Sequence, residues 1–211
     1  MEIKKNKEIF PLTVIILAGG KSSRLGINKD KAQLRLAGKP LIDWVISKLT
    51  SITNLTEDNI IIVGPPDKYT SYKQVVPDLF PHRGPLVGIY SGLKASPTFY
   101  NLIVGCDMPF LQKELLWYMW ENIESEDIII PRYGKDYIEP LLAIYSKSCL
   151  EIMEKNLKRD ILPVRLIFPY LKVKYIEDEE IIKFDPKRLS FFNVNFKKDL
   201  IKAEELIRKK G

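Results

Sequence analysis

The segment Leu17-Ala18-Gly19-Gly20-Lys21-Ser22-Ser23-Arg24-Leu25-Gly26 combines residue types suited to a phosphorylated ligand. Glycines let backbone N–H groups approach an anion closely, and a nest of such groups binds one. Arg24 and the nearby lysines can neutralise charge developing on a transferring phosphoryl group. The segment lacks the Gly-x-x-x-x-Gly-Lys-Ser/Thr of a P-loop and the Gly-x-Gly-x-x-Gly of a dinucleotide fold, so alone it also reads as a tight turn with surface charge. Asp107 follows the apolar run Leu102–Val104 and precedes Pro109, which puts a carboxylate at the carboxyl end of a strand. Octahedral magnesium keeps several waters and asks for about one or two protein carboxylates, so Asp107 suits it; a turn or capping aspartate is the plainer alternative. Asn193 and Asn195 flank Val194 and share a face if the chain there is extended. A hydrogen-bonded turn pair is the other reading. His82, the only histidine, stands between Pro81 and Arg83 and is a poor candidate for a base. No Ser-His-Asp set suggests itself.

These residues need a scaffold, and the hydrophobic pattern supplies one. Thr13–Leu17, Ile60–Val63, Val75–Val76, Asn101–Gly105 and Asp127–Ile130 read as buried strands, with Leu141–Tyr145, Val173–Ile176 and Phe191–Val194 as less regular ones. Helical stripes are expected from Pro40 to Leu49, Leu86 to Ala95, Leu111 to Ile123 and Lys197 to Lys209, with Pro40 in the first turn. Alternating strands and helices of this length predict an α/β fold, Rossmann-like, with three α/β/α layers and a mostly parallel sheet. Ligands of such sheets bind beyond the carboxyl ends of the strands, where the glycine-rich segment falls. Tyr69, Tyr72, Trp117, Tyr118 and Trp120 are expected to pack rather than to stack on a base.

Composition narrows the class. The chain has 211 residues, 45% apolar and 28% charged, and the length suits one domain over 1–211. Its 33 Lys and Arg against 27 Asp and Glu give a net charge of +6. The lysines are interleaved with acids and form no basic block, so nucleic acid is not an expected partner. No apolar run approaches the roughly 20 residues that span a bilayer. The N-terminal Met-Glu-Ile-Lys-Lys-Asn-Lys lacks the pattern of a signal peptide, and Cys106 and Cys149 make neither a disulfide framework nor a zinc set. A cytoplasmic monomer without a membrane partner is expected.

The string from Leu17 to Gly26, followed by Lys31 and Gly38-Lys39-Pro40-Leu41, resembles the signature of small nucleotidyltransferases, most of all the molybdenum cofactor guanylyltransferases. The resemblance continues at Gly84-Pro85-Leu86-Val87-Gly88-Ile89, Gly105-Cys106-Asp107-Met108-Pro109-Phe110-Leu111, Glu139-Pro140-Leu141 and Phe191-Phe192-Asn193-Val194-Asn195. These blocks keep the family's order from residue 12 to 206. The resemblance implies GTP and magnesium as ligands, and transfer of GMP to the terminal phosphate of molybdopterin with release of pyrophosphate. It implies that the backbone of Leu17, Ala18 and Gly19 holds the guanosine end and that Lys31 contacts phosphate. Asp78 would contact the nucleotide, and Asp107 the metal and the GTP phosphates. Asn193 and Asn195 would lie near the pterin, with Glu139 shaping the same cleft, and transient contacts with cofactor-biosynthesis or molybdoenzyme partners follow. Arg24, Lys31 and Asp107 form the catalytic set.

The match departs from the family in two places. Counted back from Gly38, the family's lysine aligns with Lys31; counted forward from Gly26, Lys29 falls nearer, and Lys21 also competes. Lys31 is favoured because the downstream stretch has no room for a gap. After the second strand, where the family often presents an asparagine to the base, this chain has Val63-Gly64-Pro65-Pro66. Side-chain selection of guanine is therefore open. The rivals are cytidylyl transfer to the same cofactor, nucleotide-sugar formation, or a non-catalytic GTP-binding cofactor carrier.

Overall fold

Short apolar runs such as Thr13–Leu17 and Ile60–Val63 pair at the centre of a sheet because they are apolar on both faces and must be covered on both. The computed structural model describes residues 12–19, 30–51, 55–80 and 84–209. Its strands are β1 (Thr13–Leu17), β2 (Arg35–Leu36), β3 (Lys39–Pro40), β4 (Ile60–Val63), β5 (Val75–Val76), β6 (Tyr100–Gly105), β7 (Ile128–Tyr133), β8 (Tyr137–Ile138), β9 (Leu142–Ser146) and β10 (Val173–Ile176). The α-helices are α1 (Leu41–Ser51), α2 (Pro85–Ala95), α3 (Lys113–Glu121), α4 (Cys149–Leu157), α5 (Asp178–Phe184) and α6 (Lys197–Arg208).

The main sheet runs in the order β10-β7-β9-β6-β1-β4-β5, with β8 paired to β7, while β2 and β3 form a separate ribbon. β1 is parallel to β4 and β6, β4 to β5, and β10 to β7. Only β9, within the ordered path, runs against its neighbours β6 and β7. Val14 and Ile16 face one side and pack with Val45 of α1, Leu115 of α3 and Ile181 of α5. Ile15 and Ile103 face the other and pack with Leu86 and Ile89 of α2 and Met153 of α4. The result is the α/β/α sandwich on a mostly parallel sheet that the periodicity predicts. A third cluster of Leu34, Leu36, Leu41, Phe110, Val194 and Ala203 ties the β2–β3 ribbon and α6 to the segment before α6.

Three local expectations need correction. Phe191–Val194 is not a strand: Leu189–Phe191 forms a 3-10 turn, and the Val194 N–H donates to the Asp107 carbonyl at 3.0 Å instead of joining the sheet. Pro40 does not open α1 but ends the ribbon, opposite Arg35. The expected helix 111–123 shortens to α3, with the extended Gln112 as its N-cap and its N–H donating to Ser190 Oγ at 2.9 Å. Helices α4 and α5 go beyond the elements the pattern suggests; both are short, and α4 buries Cys149, Met153 and Leu157. Among the described residues no helix is long and apolar enough to cross a membrane.

Candidate active site

Strand register decides what meets at the carboxyl edge of the sheet. Leu17 at the end of β1 lies beside Val63 of β4 and Gly105 of β6, and Val63 lies beside Val76 of β5. Hydrogen bonds carry the alignment past the strands: Ala18 N–H to Val63 O at 2.8 Å, Gly64 N–H to Val76 O at 3.0 Å, and Cys106 N–H to Leu17 O at 3.2 Å. Ala18-Gly19, Asp78 and Asp107 therefore leave the sheet along one edge. Because β9 runs the other way, it is its start that reaches this edge. Gly105 N–H donates to Leu141 O at 3.0 Å, which brings Glu139-Pro140-Leu141 next to the Asp107 segment.

Asp107, Lys31 and Asn195 converge. The Lys31 ammonium donates to Asp107 Oδ2, and also to Asn195 Oδ1 at 2.6 Å. The Lys31 and Asp107 side chains are each only 13% exposed, so this is a partly desolvated ion pair rather than a surface one. Lys31 opens a 3-10 turn (Lys31–Gln33) capped by Asp30, whose Oδ1 accepts the Ala32 N–H at 3.1 Å. Gly105 leaves room for this carboxylate: a Cβ on it would come 2.6 Å from Asp107 Oδ1 and push that side chain aside. The extended chain before α6 is held by the Val194–Asp107 backbone bond, and the Asn195 N–H donates to Asp199 Oδ2 at 3.0 Å.

The two asparagines divide their work. Asn195 faces Lys31 and Asp107, whereas Asn193 Nδ2 lies 3.4 Å from Glu139 Oε2. Glu139 is 6% exposed. Burial pushes its pKa up, the nearby charge of Asp107 adds to that, and hydrogen bonds from the Leu141 N–H (3.3 Å) and Asn193 oppose it. Beside it stands an aromatic wall the sequence reading did not single out. Tyr133 packs against Tyr137 and Phe191 at centroid distances of 4.9 and 4.6 Å. Tyr137 is half exposed, and the Glu139 charge, followed by burial, pushes its phenol up. The alternation of tyrosines at 133 and 137 across a hairpin was the available signal.

At the other end, Asp78 sits against the glycines of β1 and α2: a Cβ on Gly19 would come 3.3 Å from Asp78 Oδ2, and one on Gly88 3.7 Å from Oδ1. Leu17 gives its carbonyl to Cys106, and the N–H and carbonyl of Ala18 are both engaged within the protein. Gly19 is the exposed member of that trio. Tyr69, expected to be packing, is fully buried and also polar in its role. Its hydroxyl lies 2.9 Å from Ala18 O and 2.8 Å from Asp30 Oδ2. Tyr72, Trp117, Tyr118 and Trp120 pack against the core as expected. Arg24, Lys21, Lys29 and His82 lie outside the described residues.

Asp107 Oδ2 and Asn195 Oδ1 both face the Lys31 ammonium, and oxygens of this kind could hold a hard cation together with water if the ammonium turned aside. Among the described residues no group of three or more His, Cys, Asp or Glu could form a closed metal cage.

A mostly parallel sheet that brings Gly19, Lys31 and Asp107 to its carboxyl edge has the architecture of a nucleotide-binding α/β protein. The match to known proteins is specific. The chain belongs to the MobA-like NTP transferase domain family, whose model matches residues 14–167. It is 36% identical over 199 residues to a molybdenum cofactor guanylyltransferase of Desulfosudis oleivorans, covering 93% of this chain and 96% of that one. The crystal structure of molybdopterin-guanine dinucleotide biosynthesis protein A from Archaeoglobus fulgidus superposes with a TM-score of 0.80 at 31% identity, covering 93% of this chain and 98% of that one. A 2-C-methyl-D-erythritol 4-phosphate cytidylyltransferase from Thermus thermophilus shares the fold, with a TM-score of 0.65 at 17% identity, covering 93% and 98%.

Proposed function

We propose that this chain transfers GMP from GTP to the terminal phosphate of molybdopterin, giving the guanine dinucleotide form of the molybdenum cofactor and pyrophosphate. The observation that carries the reading is the convergence of Lys31, Asp107 and Asn195 beside Ala18-Gly19 at the carboxyl edge of the sheet. The names of the relatives support the choice of substrates.

The nucleophile is an anionic phosphate oxygen, so the reaction asks the protein for no general base. The demand is alignment of two anions and neutralisation of their charge. Gly19 and Asp78 flank the guanosine end, and Lys31 bears on the phosphates, with Arg24 as a second cation. Asp107 and Asn195 would hold Mg2+, which lowers charge on the phosphates when bound. Glu139 and Asn193 face the acceptor, and the exposed ring of Tyr137 offers a flat surface for its pterin. No covalent enzyme intermediate is expected.

The test supplies the purified protein with molybdopterin cofactor and each of GTP, CTP, ATP and UTP, with Mg2+ or with EDTA. Magnesium-dependent pyrophosphate release with GTP alone supports the reading. Preference for CTP makes it a cytidylyltransferase, and GTP binding without turnover makes it a carrier. The nucleotide panel matters because Val63-Gly64-Pro65-Pro66 offers no asparagine to the base.

A further inference from the structure

Tyr69 stands on the connection between β4 and β5, far in sequence from the segment that carries Arg24, yet it meets the residues on either side of that segment. Its hydroxyl meets Ala18 O, 51 residues away, at 2.9 Å and Asp30 Oδ2, 39 residues away, at 2.8 Å. Its exposure is 0%. The ring fits only because Gly64 has no side chain: a Cβ there would come 2.8 Å from Tyr69 Cε2. A phenol has one proton, and here it is shared between a carbonyl and a carboxylate, neither of which can donate when the carboxyl is ionised. The same Asp30 caps the turn that opens with Lys31, and Lys31 reaches Asp107. One hydroxyl thus links the end of β1 to the lysine of the site.

We propose that Tyr69 is a positioning residue for nucleotidyl transfer, clamping the two stems of the glycine-rich segment at Ala18 and Asp30 and fixing Lys31 through the Asp30 cap. The proposal rests on the functional reading above as far as turnover goes, but the clamp itself is a property of the ligand-free chain. A residue that only filled the core would need the ring and not the hydroxyl. A clamp needs both, because a small misplacement of a charged group at the reacting centre costs far more rate than stability.

The variant Tyr69→Phe keeps the ring and removes the clamp. Hydrogen exchange on ligand-free protein reads the clamp directly: the amides of Ala18, Ala32, Gln33 and Leu34 should exchange about tenfold faster, with those of Leu102–Val104 in β6 unchanged. Asp30→Ala is the second variant; it should speed exchange at 32–34 and leave Ala18 as in the wild type. Uniform exchange changes, or none, overturn the clamp whether or not the protein is a guanylyltransferase. Kinetics read the positioning. Tyr69→Phe should lower kcat about tenfold with little change in the KM for the pterin substrate. In a Lys31→Ala background the same change should cost almost nothing, since Tyr69 acts through Lys31. Losses that multiply across the two sites, or a wild-type kcat in Tyr69→Phe, overturn the positioning role. A wild-type protein that binds no GTP would instead remove the functional reading and leave the exchange result to decide the clamp.

Discussion

The two ends of this site, proposed for the nucleotide and for the acceptor, are built on different strand directions. At the nucleotide end, parallel strands β1, β4, β5 and β6 each deliver a loop to the same edge, so the chemistry follows directly after an apolar run. At the acceptor end the groups come from the start of antiparallel β9, from a β7–β8 hairpin and from an unpaired stretch before α6. The first end is fixed by short backbone hydrogen bonds of 2.8–3.2 Å between neighbouring strands. The second is tied by backbone bonds of 3.0 Å from Gly105 N–H to Leu141 O and from Val194 N–H to Asp107 O, and adds side-chain contacts such as the 3.4 Å between Asn193 and Glu139. On the proposed function, the first end would seat the triphosphate and the second the bulkier acceptor.

The contrast can be attacked by substitution. Asp107→Ala should lower kcat/KM by roughly 10³-fold or more while circular dichroism stays native, since it removes the carboxylate proposed to hold the metal; wild-type-like turnover would remove Asp107 from the mechanism. Lys31→Ala should cost roughly 10²-fold in kcat, the usual effect of losing one preorganised charged donor, and initial-rate kinetics at saturating GTP would measure it. Gly105→Ala should cost about tenfold by pushing the Asp107 carboxylate aside, with weaker Mg2+ binding measured by titration calorimetry. At the acceptor end, Tyr137→Ala or Asn193→Ala should raise the KM for the pterin substrate about five- to tenfold and leave GTP affinity unchanged. If those variants weaken GTP binding instead, the two ends are not separable.

The smallest effect concerns stability. Burial raises the Glu139 pKa above its unfolded value, so the group stabilises the fold at low pH and that contribution is lost as pH rises through the folded value. Glu139→Gln in metal-free protein should therefore melt a few degrees above wild type at about pH 8 and match it at about pH 4. A lower melting point at both pH values would mean that the charged carboxylate is itself a structural anchor.

How much could be read beforehand differs between the ends for the same reason. β1, β4, β5 and β6 were legible because each is a local run, and Asp107 was legible because it follows one. Phe191–Val194 reads as a strand but is none, since Phe192 and Val194 join the Leu34, Leu36 and Leu41 cluster and the Val194 N–H bonds the Asp107 carbonyl instead of a strand neighbour. Tyr69 looked like one aromatic among many, because nothing local reveals that a hydroxyl at 69 meets a carbonyl at 18 and a carboxylate at 30.

Hydrophobic periodicity and the glycine-rich, lysine and aspartate blocks determined the layered α/β class and the family, because both depend on residues close together in the chain. Tertiary structure alone decided that β9 reverses, which sets Glu139 beside Asp107. It also decided that Asn195, 164 residues from Lys31, shares that lysine with Asp107 while Asn193 turns to Glu139. Strand direction and long-range pairing are properties of the whole packed sheet, and no local spacing encodes them.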